Sequence, residues 1–296
     1  MAIFVTGATG NTGRFVIPEL AQRGLEAIAM MRKPEELPGC RGIKGDLLDI
    51  DRLAHEITRA DAVIHLASPR TNDREIVLKE DINGTAKLLD HWAKGNFIYM
   101  SSQTVYGIPG STLTESSPLK TSCWYDLGKV CNEFQVSMAG SKPGRGFGIS
   151  LRMALLFGDG IRRNDRQFLP GIVEQCRMNK TFVFDSGEGL ETYGSSFIGG
   201  RDLARAIVDS LDIKVSGAFN VAGAYTTWKQ LISTLNDLLG TRSDIIIRKG
   251  AKPGPKECRL PQSRSYLDTT AFKTQTGFIP KESLEQTLKL YLSREP

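Results

Sequence analysis

Thr6-Gly7-Ala8-Thr9-Gly10-Asn11-Thr12-Gly13 follows a short apolar run, residues 2–5, and precedes a helical pattern over residues 14–23. Strand, glycine turn and helix in that order make the setting a dinucleotide needs. Gly7 suits the tight turn leaving the strand, Gly10 lets the backbone approach a pyrophosphate, and Gly13 lets helix and strand pack closely. The helix start offers free N–H groups and a partial positive charge to the phosphates. Glycine spacing alone is weak evidence. Here the flanking strand and helix give it weight, because a plain strand–helix turn does not require three glycines at these spacings. Gly7, Thr9, Gly10, Asn11, Thr12 and Gly13 are therefore assigned to the cofactor.

Outward from this loop, apolar runs recur at residues 27–31, 62–66, 97–100, 149–151 and 218–221. Each is apolar at consecutive positions and so is expected to be covered on both faces. Helical patterns over residues 77–94 and 125–139 lie between them. The alternation predicts an α/β fold, a Rossmann-type doubly wound parallel sheet with a smaller C-terminal substrate lobe. Residues 1–158 form the dinucleotide-binding domain, with 198–221 returning to it; 159–197 and 222–296 form the substrate-binding lobe. Pro18 falls inside the first helical pattern, where it removes one backbone bond. The glycines at 187, 189, 194, 199 and 200 read either as a mobile lid or as a tight irregular loop. The stretch from Thr226 onward reads as two helices separated by a Pro/Gly/Lys-rich segment.

A chain of 296 residues can bury a full core without disulfide or metal staples. Its net charge of +5 is spread along the sequence, without a basic block or interleaved aromatics. A solvated surface therefore outweighs nucleic-acid binding. Cys40, Cys123, Cys131, Cys176 and Cys258 are odd in number and lack metal or redox spacing, which fits free thiols in a reducing compartment. The start of the chain lacks signal-peptide character, and no apolar run approaches membrane-spanning length. The expectation is a cytoplasmic protein with a small-molecule substrate, no metal, no membrane partner and no nucleic acid.

The end of the second strand bears on the choice of cofactor. An acidic residue roughly 20 positions past the glycine loop would bind the ribose 2′-hydroxyl. Met31-Arg32-Lys33-Pro34 stands there instead. A cation pairs with a 2′-phosphate, so Arg32 points to NADP over NAD; stacking of Arg32 over adenine is the bland reading. Asp46 and Leu47 end the third strand, where a carboxylate could accept from the adenine amino group. A simple helix N-cap explains Asp46 equally well.

Tyr125-Asp126-Leu127-Gly128-Lys129 puts a phenol and an ammonium on one helix face. A nearby ammonium stabilises phenolate and makes a tyrosine usable as a general acid/base. Such pairs arise by chance in many proteins. This one comes after the glycine loop and after Ser101-Ser102-Gln103-Thr104-Val105-Tyr106-Gly107, which closes the fifth strand. Ligands bind at the C-terminal ends of parallel strands. Ser102 falls at such an end and could donate to a carbonyl oxygen as charge develops there. His65, His55 and His91 read as structural or surface residues.

With these motifs in place, the chain resembles the extended short-chain dehydrogenase/reductases of the NAD-dependent epimerase/dehydratase family. The resemblance also rests on Asp61-Ala62-Val63-Ile64-His65-Leu66-Ala67, Gly84-Thr85, Glu133, Leu151-Arg152 and Phe197-Ile198. Arg201-Asp202-Leu203-Ala204, Phe219-Asn220-Val221, and Asp268 with Gly277 and Pro280 extend it. It implies Ser102, Tyr125 and Lys129 as catalytic residues, with Lys129 also holding the nicotinamide ribose. It implies Leu66 and Ala67 along the cofactor, and a homodimer paired through helices near residues 80–94 and 125–139. Where sugar-nucleotide members carry an Asn that helps bind the diphosphate, this chain has Leu155; a later Arg of that class falls at Ser195, and a helix Asn falls at Asp81. Ser102, Gln103, Leu155 and Lys252 are the expected substrate contacts; Arg162, Arg163, Arg166, Arg248 and Lys249 are further basic residues, and for each of these cations, Lys252 included, a solvated surface is the bland reading. The expected activity is hydride transfer at an alcohol or ketone carbon. The alternatives are a nucleotide-sugar 4-epimerase or dehydratase with tightly held NAD, and a non-catalytic dinucleotide sensor.

Overall fold

Strand β1 (Ala2–Thr6) is buried from Ile3 onward, as its unbroken apolar run requires. It lies between parallel partners β2 (Glu26–Met31) and β4 (Ala62–His65), with Val5 opposite Ala29 and Ile64. Strands β3 (Cys40–Lys44) and β5 (Phe97–Ser102) extend the sheet on either side. A short strand β6 (Ser111–Leu113) leaves for a second sheet, and β7 (Gly148–Met153) returns beside β5. The later strands are β8 (Leu155–Phe157), β9 (Thr181–Phe184), β10 (Gly194–Gly199), β11 (Gly217–Val221), β12 (Tyr225–Thr227), β13 (Ile245–Ile247), β14 (Glu257–Cys258) and β15 (Arg264–Leu267). The computed structural model describes residues 1–33, 36–107, 111–158, 168–250 and 253–293.

The main sheet is parallel throughout, in the order β11-β7-β5-β4-β1-β2-β3. Strand order reverses between β1 and β4, and a crevice opens beyond the carboxyl ends of the strands at such a point. Alternate residues feed two cores: Ile3, Val5, Ala27 and Ala29 face one side, Phe4, Ile28 and Met30 the other. A second sheet runs β12-β10-β15-β6, with β8 also paired to β10; a third runs β13-β9-β14. A third apolar cluster, with Phe157, Leu169, Phe182, Phe197, Leu231 and Leu288, lies under these two sheets.

Two polar networks, the first of them buried, tie the layers together and account for much of the motif pattern. Glu133, on helix Trp124–Gly140, receives two nitrogens of Arg152 from β7, the shortest at 2.7 Å, and also bonds Ser101 on β5. Arg152 donates on to Tyr106 Oη at 2.9 Å, and Tyr106 donates to Asn220 Oδ1 on β11 at 2.7 Å. Asn220 Nδ2 then reaches the carbonyl of Asp268 at 3.1 Å. In the second network, Asp202 accepts from the backbone of Lys281 and Glu282 at 2.8 Å each, while Glu282 accepts from the backbone of Arg201 and Asp202. The C-terminal signature is thereby clamped to helix Gly200–Asp209.

Two expectations change. The glycine-rich stretch 186–200 is neither lid nor irregular loop: it is helix Gly187–Thr192 followed by β10, the central strand of the second sheet. Its glycines serve close packing, since a Cβ on Gly194 would stand 2.2 Å from the Thr226 carbonyl across the sheet. Among the described residues the region after Thr226 holds three helices and three short strands; strands of two to four residues leave almost no periodicity to read. Helix Gly13–Gln22 runs unbroken through Pro18.

Candidate active site

The glycine loop, the ends of β2, β4 and β5, the Tyr125 helix and the second lobe surround one cavity of about 1010 Å³. Gly7 leaves β1 with φ +72°, and a Cβ there would stand 2.7 Å from the Ala67 nitrogen. Gly10 N–H closes the turn on the Gly7 carbonyl at 3.0 Å. Gly13 sits on the inner side of the turn, where a Cβ would fall 2.4 Å from the carbonyls of Gly7 and Ala8. Thr9, Gly10, Asn11 and Thr12 line the cavity. Thr12 caps the following helix without a side-chain bond, and the first turn carries no carboxylate. A helix start without a carboxylate in its first turn fits a pyrophosphate.

Leu66 and Ala67 line the cavity at the end of β4. They are held by Thr6 Oγ1, which accepts from Ala67 N–H at 3.2 Å and contacts His65 Nδ1 at 2.6 Å. His65 Nε2 reaches Thr85 Oγ1 at 2.9 Å. Complete burial, with the Lys129 charge adding to it, pushes His65 down from 6.5 to about 3, so it is a neutral strut. Arg32 stands exposed on the cavity rim. Asp46 and Leu47 also line the cavity. Asp46 Oδ1 accepts from Leu48 N–H at 3.0 Å, the expected capping bond.

Ser102 ends β5 and starts a 3-10 turn. Its Oγ accepts from Thr104 N–H at 3.3 Å and from Thr104 Oγ1 at 3.1 Å. Both acceptor positions are used, which leaves the hydroxyl proton for the cavity. Tyr125 lies on the same cavity at the start of its helix, and its N–H donates to Asn72 Oδ1 at 3.2 Å. Lys129, one turn on, is buried: Nζ donates to the Met100 carbonyl at 2.9 Å and lies 4.9 Å from the Tyr99 ring and 5.6 Å from the Tyr125 ring. Burial disfavours its charge, but Tyr99, Tyr125 and Asp81 around it outweigh that, and its pKa is raised. Cys123 caps the Tyr125 helix and lines the cavity; burial pushes its thiol up.

Asp81, where the family resemblance expected an Asn, is buried on a π-helical turn, Val77–Ile82, accepts from Asn132 Nδ2 at 3.2 Å, and is raised by burial although Lys129 opposes the shift. Several cavity residues carried no sequence signal. Asn72, Leu169, Pro170 and Tyr291 line the cavity from segments far apart in the chain. Leu155 does face the cavity, together with Met153, Phe157 and Phe197. In the wall built from residues 153–158, 169–170, 197 and 291, Tyr291 supplies the polar side-chain atom. The rim at residues 68–72 is polar. Gln103 lines the cavity and donates from Nε2 to Ser195 Oγ at 3.2 Å, with Ser195 buried behind it. Lys252, Arg162, Arg163 and Arg166 lie outside the described residues. Among the described residues no group of three His, Cys, Asp or Glu is placed to hold a metal, and no helix is long and apolar enough to cross a membrane.

The sequence model of the NAD dependent epimerase/dehydratase family matches residues 3–222. Among curated relatives, the chain is 30% identical over 141 residues to cinnamoyl-CoA reductase 2 of Arabidopsis thaliana; the match spans 42% of each chain. It is 26% identical over 205 residues to the decarboxylating sterol-4-alpha-carboxylate 3-dehydrogenase of Dictyostelium discoideum, covering 63% of this chain and 61% of that one. These matches thus span about two-fifths and three-fifths of the relatives' lengths. The crystal structure of UDP-N-acetylglucosamine 4-epimerase from Bacillus cereus shares the fold over the full length of both chains, with TM-score 0.79 and 21% identity.

Proposed function

The chain belongs to the NAD dependent epimerase/dehydratase family, and from that membership we propose that it is an NAD(P)-dependent oxidoreductase acting at an alcohol or ketone carbon. One observation carries this reading. The glycine loop, Ser102, Tyr125 and buried Lys129 all face the same cavity. When bound, the nicotinamide supplies or accepts the hydride. Ser102, its acceptor positions already used, donates its proton to the substrate oxygen and steadies charge there. Tyr125 Oη gives a proton to that oxygen in reduction and takes it back in oxidation. Lys129, fixed by the Met100 carbonyl, holds positive charge beside Tyr125 and is placed to bond the ribose. Gly7, Thr9, Gly10, Asn11 and Thr12 cradle the pyrophosphate, Gly13 keeps the loop tight, and Asp46, Leu47, Leu66 and Ala67 flank the adenosine.

The apolar wall at Met153, Leu155, Phe157, Leu169 and Phe197 favours a small carbonyl substrate over a diphosphate. Arg32 on the rim favours NADP. The second reading, a nucleotide-sugar 4-epimerase or dehydratase with retained NAD, draws support from the polar rim at residues 68–72. A sensor without chemistry would not need a proton donor on a buried lysine. We further assign residues 1–158 and 198–221 to the cofactor unit and the rest to a substrate lobe, and place the protein in the cytoplasm on its five free thiols. Phe134 and Met138, one turn apart and 61% and 72% exposed, support a homodimer through the Tyr125 helix; a monomer in sedimentation at micromolar concentration would exclude it.

Tyr125→Phe tests the main reading. It should lower kcat by about 10²- to 10⁴-fold while leaving NADPH affinity within a small factor. An unchanged kcat would overturn the acid/base role.

A further inference from the structure

Asp81 brings a carboxylate against the Tyr125 helix. Its π-helical turn meets that helix at Gly128, one residue before Lys129, where a Cβ would stand 3.0 Å from Asp81 Oδ2. The bare glycine admits the carboxylate to the helix face that carries Tyr125, Lys129 and Asn132. Asp81 Oδ1 accepts from Asn132 Nδ2 at 3.2 Å, and Oδ2 accepts from Ser68 Oγ at 3.4 Å. Asn132 Nδ2 also donates to Tyr99 Oη at 3.1 Å, and Lys129 Nζ lies 4.9 Å from the Tyr99 ring. Asp81 and Lys129 are both buried. A buried ammonium is costly without a counter-charge. Tyr99, Tyr125 and Asp81 raise Lys129 against its burial. A phenol is uncharged until it loses its proton, so while both tyrosines hold theirs the counter-charge is Asp81. Lys129, Ser68 and Asn132 favour the charged form of Asp81 in return. The other titratable groups around the turn do not replace it. His65 is neutral. Arg52 pairs with Asp49, and Lys87 and His91 pair with Asp51, in solvent-exposed contacts. Arg74, Glu75 and Lys79 are exposed, and Glu80 lines the cavity.

We propose that Asp81 is a positioning residue for reduction: its buried carboxylate is the counter-charge of Lys129 and keeps both protons on the Tyr125–Lys129 pair, the form that can donate to a carbonyl oxygen. The assignment rests on the oxidoreductase reading above and adds a residue to its site. Taking a negative charge away from two coupled acids lowers the pH at which the pair gives up its first proton, whichever group releases it. The sequence resemblance expected an Asn at this position, so the charge is a feature of this chain.

The test is Asp81→Asn, which keeps the size and an acceptor for Asn132 but removes the charge. Lys129 is titrated by NMR of protein with isotope-labelled lysine Cε, the signal being assigned by its loss in Lys129→Met. In Asp81→Asn the midpoint should fall by about one pH unit or more, a tenfold loss of proton affinity, and should lie below the free lysine value of about 10.4. An unchanged midpoint overturns the proposal, as does a midpoint in the variant above the free value. If Asp81→Asn does not fold, Gly128→Ala sets a methyl against Asp81 Oδ2 and should lower the midpoint in the same direction; no fall there overturns the proposal. Oxidation of NADPH by 2-hydroxyacetophenone, a small carbonyl substrate, separates this proposal from the reading beneath it. The alkaline limb of kcat should move down with the lysine midpoint, and a limb that stays in place overturns the role in reduction. If the native chain does not reduce the ketone, hydride transfer fails and the Lys129 titration alone decides whether Asp81 is its counter-charge.

Discussion

The two walls of the cavity are made of different material. On the side proposed for the cofactor the wall is mostly backbone: a turn closed by Gly10 on Gly7, strand ends in fixed order, and a helix start without a carboxylate in its first turn. On the substrate side it is apolar side chain, brought from Leu155, Leu169, Phe197 and Tyr291 across more than a hundred residues of sequence. Backbone walls have little room for a change of residue type, because a single Cβ meets fixed carbonyls. Side-chain walls fix volume more than identity, and volume-conserving exchanges are tolerated.

The sharpest way to break that contrast is to alter one residue in each wall. Gly13→Val places carbon where even a Cβ would be 2.4 Å from two carbonyls, and it should weaken NADPH binding roughly tenfold to a hundredfold or more. Leu155→Met should change it by less than about threefold. Fluorescence titration of the cofactor reads both, and equal effects would erase the distinction. Next in size is Arg32→Asp, a cofactor contact argued from a side chain. It should turn the preference from NADP towards NAD by roughly tenfold, the worth of one charge-assisted bond; unchanged NADP affinity would remove Arg32 from the site.

A third experiment separates scaffold from chemistry. His65 titrates at about 3 in the folded chain against 6.5 when free, so between those values the unfolded state binds the extra proton. Its contribution is fully present above pH 6.5 and is lost as pH falls, at about 1.4 kcal/mol per pH unit. Acid unfolding of His65→Asn should be flatter over that window, and an identical slope would show that His65 is not held neutral. The smallest effect belongs to the substrate wall. Tyr291 Oη is buried without a hydrogen-bond partner among the described residues, so Tyr291→Phe should leave Tm unchanged or raise it by a few degrees. A fall of several degrees would mean that the hydroxyl is bonded in solution.

The sequence reads the backbone wall well for the same reason that the wall is rigid. Glycine spacing, apolar runs and the position of Ser102 at a strand end are local patterns, and the parallel sheet follows from their alternation. Tyr125 and Lys129 were legible because helical spacing puts them on one face. The rest depends on tertiary placement. Asp81 becomes a partner of the Lys129 site only because a π-helical turn packs it against the Tyr125 helix. Tyr291 reaches the cavity from the last helix, and nothing in residues 284–293 marks it. The glycines of 186–200 looked like hinges because flexibility and close packing use the same residue; only the Thr226 carbonyl opposite Gly194 decides between them.

On the proposed function the cavity passes hydride to a carbonyl and does not merely hold a dinucleotide or recycle it. Single-turnover reaction of NADPH deuterated at its transferable position with 2-hydroxyacetophenone tests this most directly. Stoichiometric loss of reduced-nicotinamide absorbance and deuterium on the carbinol carbon of the diol are expected, with both abolished in Tyr125→Phe. Stable cofactor absorbance with the ketone, together with repeated epimerisation of a UDP-sugar on retained NAD, would contradict it.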